Sequence, residues 1–366
     1  MKRIETVIVG GGPAGAATAC GLAAAGRDVI LIERSDGPHH KVCGEFLSVE
    51  TQAQLRALGI DAAALGAVAI DRVAIYSPAR AVAAGLPFRA LSLSRYRLDS
   101  ALLSRAETLG AQVQRGVAVR SVAPDREGWI VQCDDGPVCC RNLVLATGKW
   151  GLRGIDDTRD GSRVGLKMHL QLTDDERRAL DGRVELYFLG RSYAGLELIE
   201  DGVANLCLLM PRELVARLGP GWQPVQDHLA QAIPALAGRL AGSRPLWDKP
   251  LAVVAPTGSH LHRGQSSAVY RVGDRLAHIP PFTGDGLAIA LASAALAAAH
   301  IRDGRSPAQY LKAARKLTRR PIRFAGLLSG LAATGAGQMA LLSAASVAPS
   351  LLEGVVRRTR VPLPVH

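Results

Sequence analysis

Two glycine-rich constellations, one near each end of the chain, carry residue types that could hold a nucleotide and set up redox chemistry. The first is Gly10-x-Gly12-x-x-Gly15, with Pro13 and Ala14 inside it and Glu33 following 23 positions after Gly10. Glycine at the first position permits a tight turn. At the second it lets the backbone approach a pyrophosphate, and at the third it lets a helix pack closely on a strand. A carboxylate at the distance of Glu33 can accept ribose hydroxyls and would repel a 2′-phosphate, which selects FAD or NAD over NADP. The second constellation is Gly273-Asp274 followed by Ile279-Pro280-Pro281-Phe282-Thr283-Gly284-Asp285-Gly286. Asp274 could accept hydrogen bonds from a ribityl chain, and Gly284 and Gly286 let backbone come close to an isoalloxazine ring. A helix starting at Gly286-Leu287 would aim its positive end at N1 and O2 of that ring.

The elements that must position these residues are legible around them. Residues 6–9 are a β-branched run suited to a buried parallel strand, residues 14–25 an alanine-rich helix ended by Gly26, and residues 28–32 a second strand that finishes at Glu33. The helix start offers free N–H groups to phosphates. Downstream, residues 267–272 read as a strand and 287–301 as a helix. An NAD dehydrogenase would complete its nucleotide domain soon after the first motif, so the remoteness of the second favours FAD.

Three further segments lie between the two ends: Arg95-x-x-Leu98-Asp99, Cys43-Gly44-Glu45 and Leu143-Val144-Leu145-Ala146-Thr147-Gly148. With them, the chain resembles the flavoprotein superfamily that holds p-hydroxybenzoate hydroxylase, geranylgeranyl reductases and flavin-dependent halogenases, over roughly residues 4–305. The resemblance implies that Arg95 lies near the FAD phosphates. It implies that the Cys43-Gly44-Glu45 segment passes beside the flavin, as in the geranylgeranyl reductase branch, and that residues 143–148 close the FAD domain. Arg34, Val119, Thr147, Gly148 and Asp285 join the expected FAD-binding set, and Cys43, Pro281, Phe282 and His169 the expected catalytic set. Departures matter too. Gly148-Lys149-Trp150-Gly151 stands where the family often has Gly-x-Asp-Gly, leaving the engagement of NAD(P)H open. The halogenase signature Trp-x-Trp-x-Ile-Pro is absent, and Trp129, Trp150, Trp222 and Trp247 are far apart. The prenyl reductases' aromatic-x-Trp-x-Phe-Pro element is replaced near its expected place by Tyr193-Ala194-Gly195-Leu196-Glu197-Leu198.

The middle of the chain reads as an antiparallel sheet. In residues 163–172, Val164, Leu166, Met168, Leu170 and Leu172 share one face, while Gly165, Lys167, His169 and Gln171 share the other. Residues 184–189, 196–200 and 203–210 supply further strands, with Asp201-Gly202 as a hairpin signal, and residues 71–77 could join them. His169 and Lys167 either face a substrate pocket, where an imidazole could take a proton, or face solvent. The fold expected is α/β: a discontinuous Rossmann-like FAD-binding domain (1–70, 95–150 and 250–305), an inserted antiparallel-sheet substrate domain (71–94 and 151–249), and a C-terminal helical region (306–366).

Composition bounds the partners. Lys and Arg exceed Asp and Glu by 12, partly through Lys312, Arg315, Lys316, Arg319, Arg320 and Arg323, while aromatics are only 4%. That basic surface has no aromatic platform for single strands, so nucleic acid is not expected as a partner. The six cysteines form no C-x-x-C pair and suit a reducing cytosol, and no metal site is expected; His260 and His262 read as loop histidines. The apolar start is broken at once by glycines, which argues against export. Residues 324–352 carry no charge but are rich in Ala, Gly and Ser, which reads as packed helices, with peripheral membrane contact open through the basic cluster before them.

These readings converge on a cytoplasmic FAD-dependent oxidoreductase with NAD(P)H as electron donor. The expected reaction is hydroxylation of a small, largely apolar or aromatic metabolite. The alternative is reduction of a carbon–carbon double bond in the manner of a geranylgeranyl reductase. A non-catalytic flavin sensor and a plain NAD dehydrogenase complete the rivals.

Overall fold

The computed structural model describes residues 3–78, 80–155, 161–255, 260–261, 268–347, 354 and 360–361. Its mixed α/β architecture is built on two large sheets. The first starts from Arg3–Val9, which pairs in parallel with Val29–Glu33 on one side and with Gly136–Leu145 on the other. Every residue of Val29–Glu33 is buried, as expected of a strand covered on both faces. Gln112–Arg115 extends this sheet in parallel beyond Val29–Glu33. On the opposite side, Gly128–Cys133 and Val119–Asp125 add antiparallel strands.

The distal segment joins the same sheet. Tyr270–Arg271 pairs in parallel with Val144 and Leu145 of the Gly136–Leu145 strand. This strand is shorter than the sequence pattern predicts, and residues 262–267, including His262, lie outside the described residues. The following helix, Gly286–Arg302, packs against the first helix, Pro13–Ala24, so closely that a Cβ on Gly21 would come within 2.8 Å of Ala298 Cβ. Leu22, Leu98, Leu102 and Ile289, all essentially inaccessible, belong to the core these helices share with Arg95–Thr108.

The second sheet has nine strands among the described residues. It runs Arg244–Pro245, Arg163–Gln171, Ala204–Pro211, Ser192–Leu198, Arg183–Leu189, Val68–Tyr76, Ala81–Ser92, Phe46–Leu47, and Leu251–Ala255 also pairs with Arg163–Gln171. Its pairs are antiparallel except for Arg183–Leu189 with Val68–Tyr76. The apolar face read from the alternation is covered by helices. Leu166, Met168 and Leu170 pack with Leu196, Leu206 and Leu208 beneath the helices Gln223–Ala232 and Pro234–Leu240. Asp201-Gly202 forms the turn between strands, with Asp201 at φ 61°.

The C-terminal region is a bent pair of helices. Pro307–Ala332 opens with a capping box from Ser306 and Gln309 and contains Pro321; after a short break, Gly335–Val347 leaves at 113°. Among the described residues, no single helix is long and apolar enough to cross a membrane, although the bent pair passes on length and composition.

Candidate active site

The phosphate end of the site follows from the glycines. Gly10 sits at φ 107° and donates its N–H to Ile32 O at 2.9 Å, which folds the strand end into the turn. A Cβ on Gly15 would lie 1.9 Å from Gly10 O, so no side chain fits there. The helix beginning at Pro13 has no side-chain cap, and its first-turn N–H groups point into the turn. Glu33 Oε2 accepts from Gly11 N at 2.6 Å and Oε1 from Ser35 N at 3.0 Å. Burial alone would raise the Glu33 pKa, but these donors and Lys41 outweigh it and hold the carboxyl below its ordinary range.

Arg95 stands beside this turn. Its guanidinium is the group nearest a Cβ built on Gly12, at 3.7 Å, and Asp99 fixes it through two bonds of 2.7 and 2.8 Å. Arg34 lies over the exposed Trp150 ring at 5.6 Å. Thr147 Oγ1 donates to Trp150 O, shaping the turn that holds Gly148 at φ 64°. Val119 packs against the apolar layer behind the sheet. A Cβ on Gly44, Gly148 or Gly286 would meet nothing within 4 Å, so these stretches of backbone border open space. An uncapped helix start, a fixed guanidinium, an ionised strand-end carboxylate and that space fit an FAD molecule.

The second glycine constellation is brought to the same place. Gly273, at φ 58°, donates its N–H to Ser293 Oγ at 2.9 Å, and a Cβ on it would lie 3.0 Å from Ala14 Cβ. Residues about 260 positions apart thus touch at the start of the first helix. Asp274 stands partly exposed just beyond. In the loop, Pro281 is exposed, and the Phe282 ring meets Phe188 and Tyr193 edge-on at 6.0 Å each. Gly284, at φ 71°, is left-handed, and a Cβ there would strike Phe46 at 2.8 Å. The buried Asp285 carboxylate accepts from Arg360 Nη1 at 2.7 Å, while its backbone caps the helix Gly286–Arg302, whose start carries no side-chain cap.

The polar face of the second sheet does not meet solvent. Residues 42–46 run across it, with Val42 Cγ1 only 3.0 Å from a Cβ built on Gly165. Glu45, fully buried at φ 58°, receives Lys167 Nζ at 2.5 Å and the Arg95 N–H at 2.7 Å on Oε1, and has His169 Nε2 at 3.4 Å from Oε2. Burial would raise the Glu45 pKa, but His169, Lys167 and Arg95 together hold it below the ordinary carboxylate range. His169 is stacked on Trp247 at 4.6 Å and edge-on to His40 at 4.9 Å. Burial, with His169 and Lys167 adding like charge, lowers the His40 pKa to about 4.

The next register positions extend this network. Asn205 pairs with His169 across one strand boundary and with Glu197 across the other. Asn205 Nδ2 donates to Glu197 Oε1 at 2.7 Å and to Cys43 O at 3.3 Å. Burial raises the Glu197 pKa to about 8, partly opposed by that Asn205 bond, which favours the protonated acid at neutral pH. The Cys43 thiol accepts from Glu45 N at 3.4 Å, and Cys207, opposite Lys167, lies on the same face. Cys43, Glu45, Lys167, His169, Glu197 and Asn205 therefore form one cluster.

Glu197, Asn205 and His40 were not singled out from the sequence. Glu197 lies within the segment that replaces the prenyl-reductase element, and its alternation with Tyr193 and Gly195 was the available signal. Nothing local marks His40. Among the described residues there is no group of three or more His, Cys, Asp or Glu side chains able to hold a metal ion.

Comparison with known proteins agrees with this geometry. Residues 3–147 match the family described as FAD binding domain. A menaquinone reductase of Mycolicibacterium smegmatis is 26% identical over 335 residues, covering 82% of this chain and 77% of that protein. A menaquinone reductase of Mycobacterium tuberculosis is 25% identical over 329 residues, covering 80% and 75%. Among solved structures, the flavin-dependent brominase Bmp2 superposes with a TM-score of 0.81 at 18% identity, covering 98% of this chain and 93% of that one. A flavoprotein/dehydrogenase from Cytophaga hutchinsonii gives 0.74 at 14% identity, covering 91% and 87%. The structural likenesses are likenesses of fold. The chain is an FAD-dependent oxidoreductase with the fold of FAD-binding flavoproteins.

Proposed function

We propose that this protein reduces a carbon–carbon double bond in a large apolar substrate of the prenyl or quinone type, taking its electrons from NAD(P)H. The observation that carries this reading is the Cys43-Gly44-Glu45 segment, seated on the polar face of the second sheet through Lys167, His169 and Asn205. Relatives named menaquinone reductase that span four-fifths of the chain support it. This ranks double-bond reduction above the hydroxylation that the sequence alone favours.

FAD, when bound, supplies the hydride chemistry, and the rest falls to the chain. Gly12 and the helix start at Pro13, with Arg95, would hold the pyrophosphate, and Glu33 would hold a ribose. The uncapped start of Gly286–Arg302 would favour negative charge on the ring. Phe188, Tyr193 and Phe282 offer an apolar border to the substrate. Saturating an alkene also needs a proton, and Glu197 holds one at neutral pH beside Asn205 and Cys43. The buried Lys167–Glu45 pair keeps this face charged but dry, so the proton stays under the control of the protein.

The test is turnover under strict anaerobiosis with NADH or NADPH and a polyprenyl quinone. The expected product has gained two hydrogens, and Glu197→Gln slows its formation while leaving flavin reduction intact. Turnover that needs O₂ and puts an oxygen atom into the product would establish hydroxylation instead. That second reading is favoured by one observation, the absence of the prenyl-reductase element where Tyr193 to Leu198 now stand.

A further inference from the structure

The helix Pro307–Ala332 has two distinct sides. Tyr310, Leu311, Ala314, Thr318, Ile322 and Ala325 are buried against the FAD domain. The opposite side carries Lys312, Lys316, Arg319, Arg320 and Arg323, all exposed, at the three- and four-residue spacing of one helical stripe. The stripe continues as Leu327 and Leu331, which are 69% and 49% exposed, and at the bend Met339 of the next helix is 59% exposed. No Asp or Glu occurs anywhere from 304 to 352. A solvated surface explains a row of cations. It does not explain two leucines and a methionine bare at the corner where that row ends.

We propose that this corner docks the protein on an anionic lipid bilayer, with the basic stripe among the headgroups and Leu327, Leu331 and Met339 in the acyl boundary. Charge complementarity selects the occupant, since a polybasic face beside an apolar tip, in a stretch without Asp or Glu from 304 to 352, matches an anionic interface. The docking corner also abuts the site. Gln338 Nε2 donates to Gly190 O at 3.0 Å, and Arg80 Nη1 donates to Ser343 Oγ at 2.8 Å. Gly190 is the turn between the strands that present Phe188 and Tyr193, the two rings packed on Phe282. A docked molecule would therefore hold the aromatic end of its site close to the membrane. Docking itself is independent of the reaction class.

The experiment is co-sedimentation of the full, FAD-loaded chain with phosphatidylcholine vesicles, with and without phosphatidylglycerol, at low and high salt. Binding is expected only to the anionic vesicles and is expected to weaken with salt. Each Lys or Arg near such a surface contributes roughly fivefold, so Arg319→Glu with Arg320→Glu should lower vesicle affinity by more than about tenfold. Leu327→Ser with Leu331→Ser should remove the part of binding that survives high salt. Both variants should keep the wild-type flavin spectrum, which shows that they fold. Equal binding to neutral vesicles, no binding at all, or binding unchanged in both variants would overturn the proposal. So would variants that abolish self-association or RNA binding of the free protein without affecting its behaviour on vesicles.

Discussion

Glu45 is buried in a left-handed backbone conformation with an ammonium, an imidazole and an N–H around it, so each of these groups depends on the others. Glu45→Gln leaves Lys167 buried beside a neutral amide and should cost about 3 kcal/mol in urea unfolding, whereas Glu45→Gln with Lys167→Met should recover much of it. The pH dependence follows from three groups. The Glu45 carboxyl is held below its ordinary 4.5, so its stabilisation is complete above that pH and is lost as acid carries the protein down through the folded value. His40, lowered from 6.5 to about 4, acts in the same sense, because the unfolded chain takes a proton that the folded one refuses across that interval. Glu197 acts oppositely. Its pKa rises from 4.5 to about 8, so stability falls as pH climbs between those values. Glu197→Gln should therefore match the wild type near pH 4.5 and exceed it at pH 8 by on the order of a few kcal/mol in urea titrations, given about 1.4 kcal/mol per pKa unit.

At the scale of elements, the joints between helices and strands are where small changes should be costly. Gly273 combines φ 58° with a 3.0 Å approach to Ala14. Gly273→Ala should cost about 1–3 kcal/mol and release FAD more readily, measured by thermal unfolding and by free flavin fluorescence. Arg360 reaches back from the C-terminal region to Asp285 at 2.7 Å, close to Glu50, with its guanidinium 4.7 Å from the Phe88 ring. Arg360→Ala should lower stability by about 2 kcal/mol and weaken FAD retention together, because Asp285 begins the helix whose start would face the ring of a bound FAD. The glycine turns were legible in the sequence because an unusual backbone demands an unusual residue type. The alternation of residues 163–172 was equally plain, but that its polar face is covered as well as its apolar one was not. That depended on residues 42–46 crossing the sheet, a contact between segments more than a hundred positions apart. The distal strand shows the converse. Residues 267–272 read as one strand, and among the described ones Tyr270–Arg271 is the part that pairs, with Val144 and Leu145.

For the whole molecule, the fold class could be read from two motifs and the period-two pattern between them, because a dinucleotide site and a half-buried sheet each leave a repeat in residue type. The composition of the cluster could not be read, because Glu197 and Asn205 meet through cross-strand register while Glu45 reaches Lys167 only where residues 42–46 cross the sheet. The account rests on one arrangement: a single FAD gripped by residues 10–15, bordered by residues 273–286, and roofed by the polar face of the second sheet. Amide hydrogen exchange of the FAD-loaded chain against the flavin-stripped chain tests this most directly. Added protection is expected in all three regions at once: 10–15, 273–286, and the strands carrying Lys167, His169, Glu197 and Asn205. Protection confined to residues 10–15, with the other two regions unchanged, would contradict it.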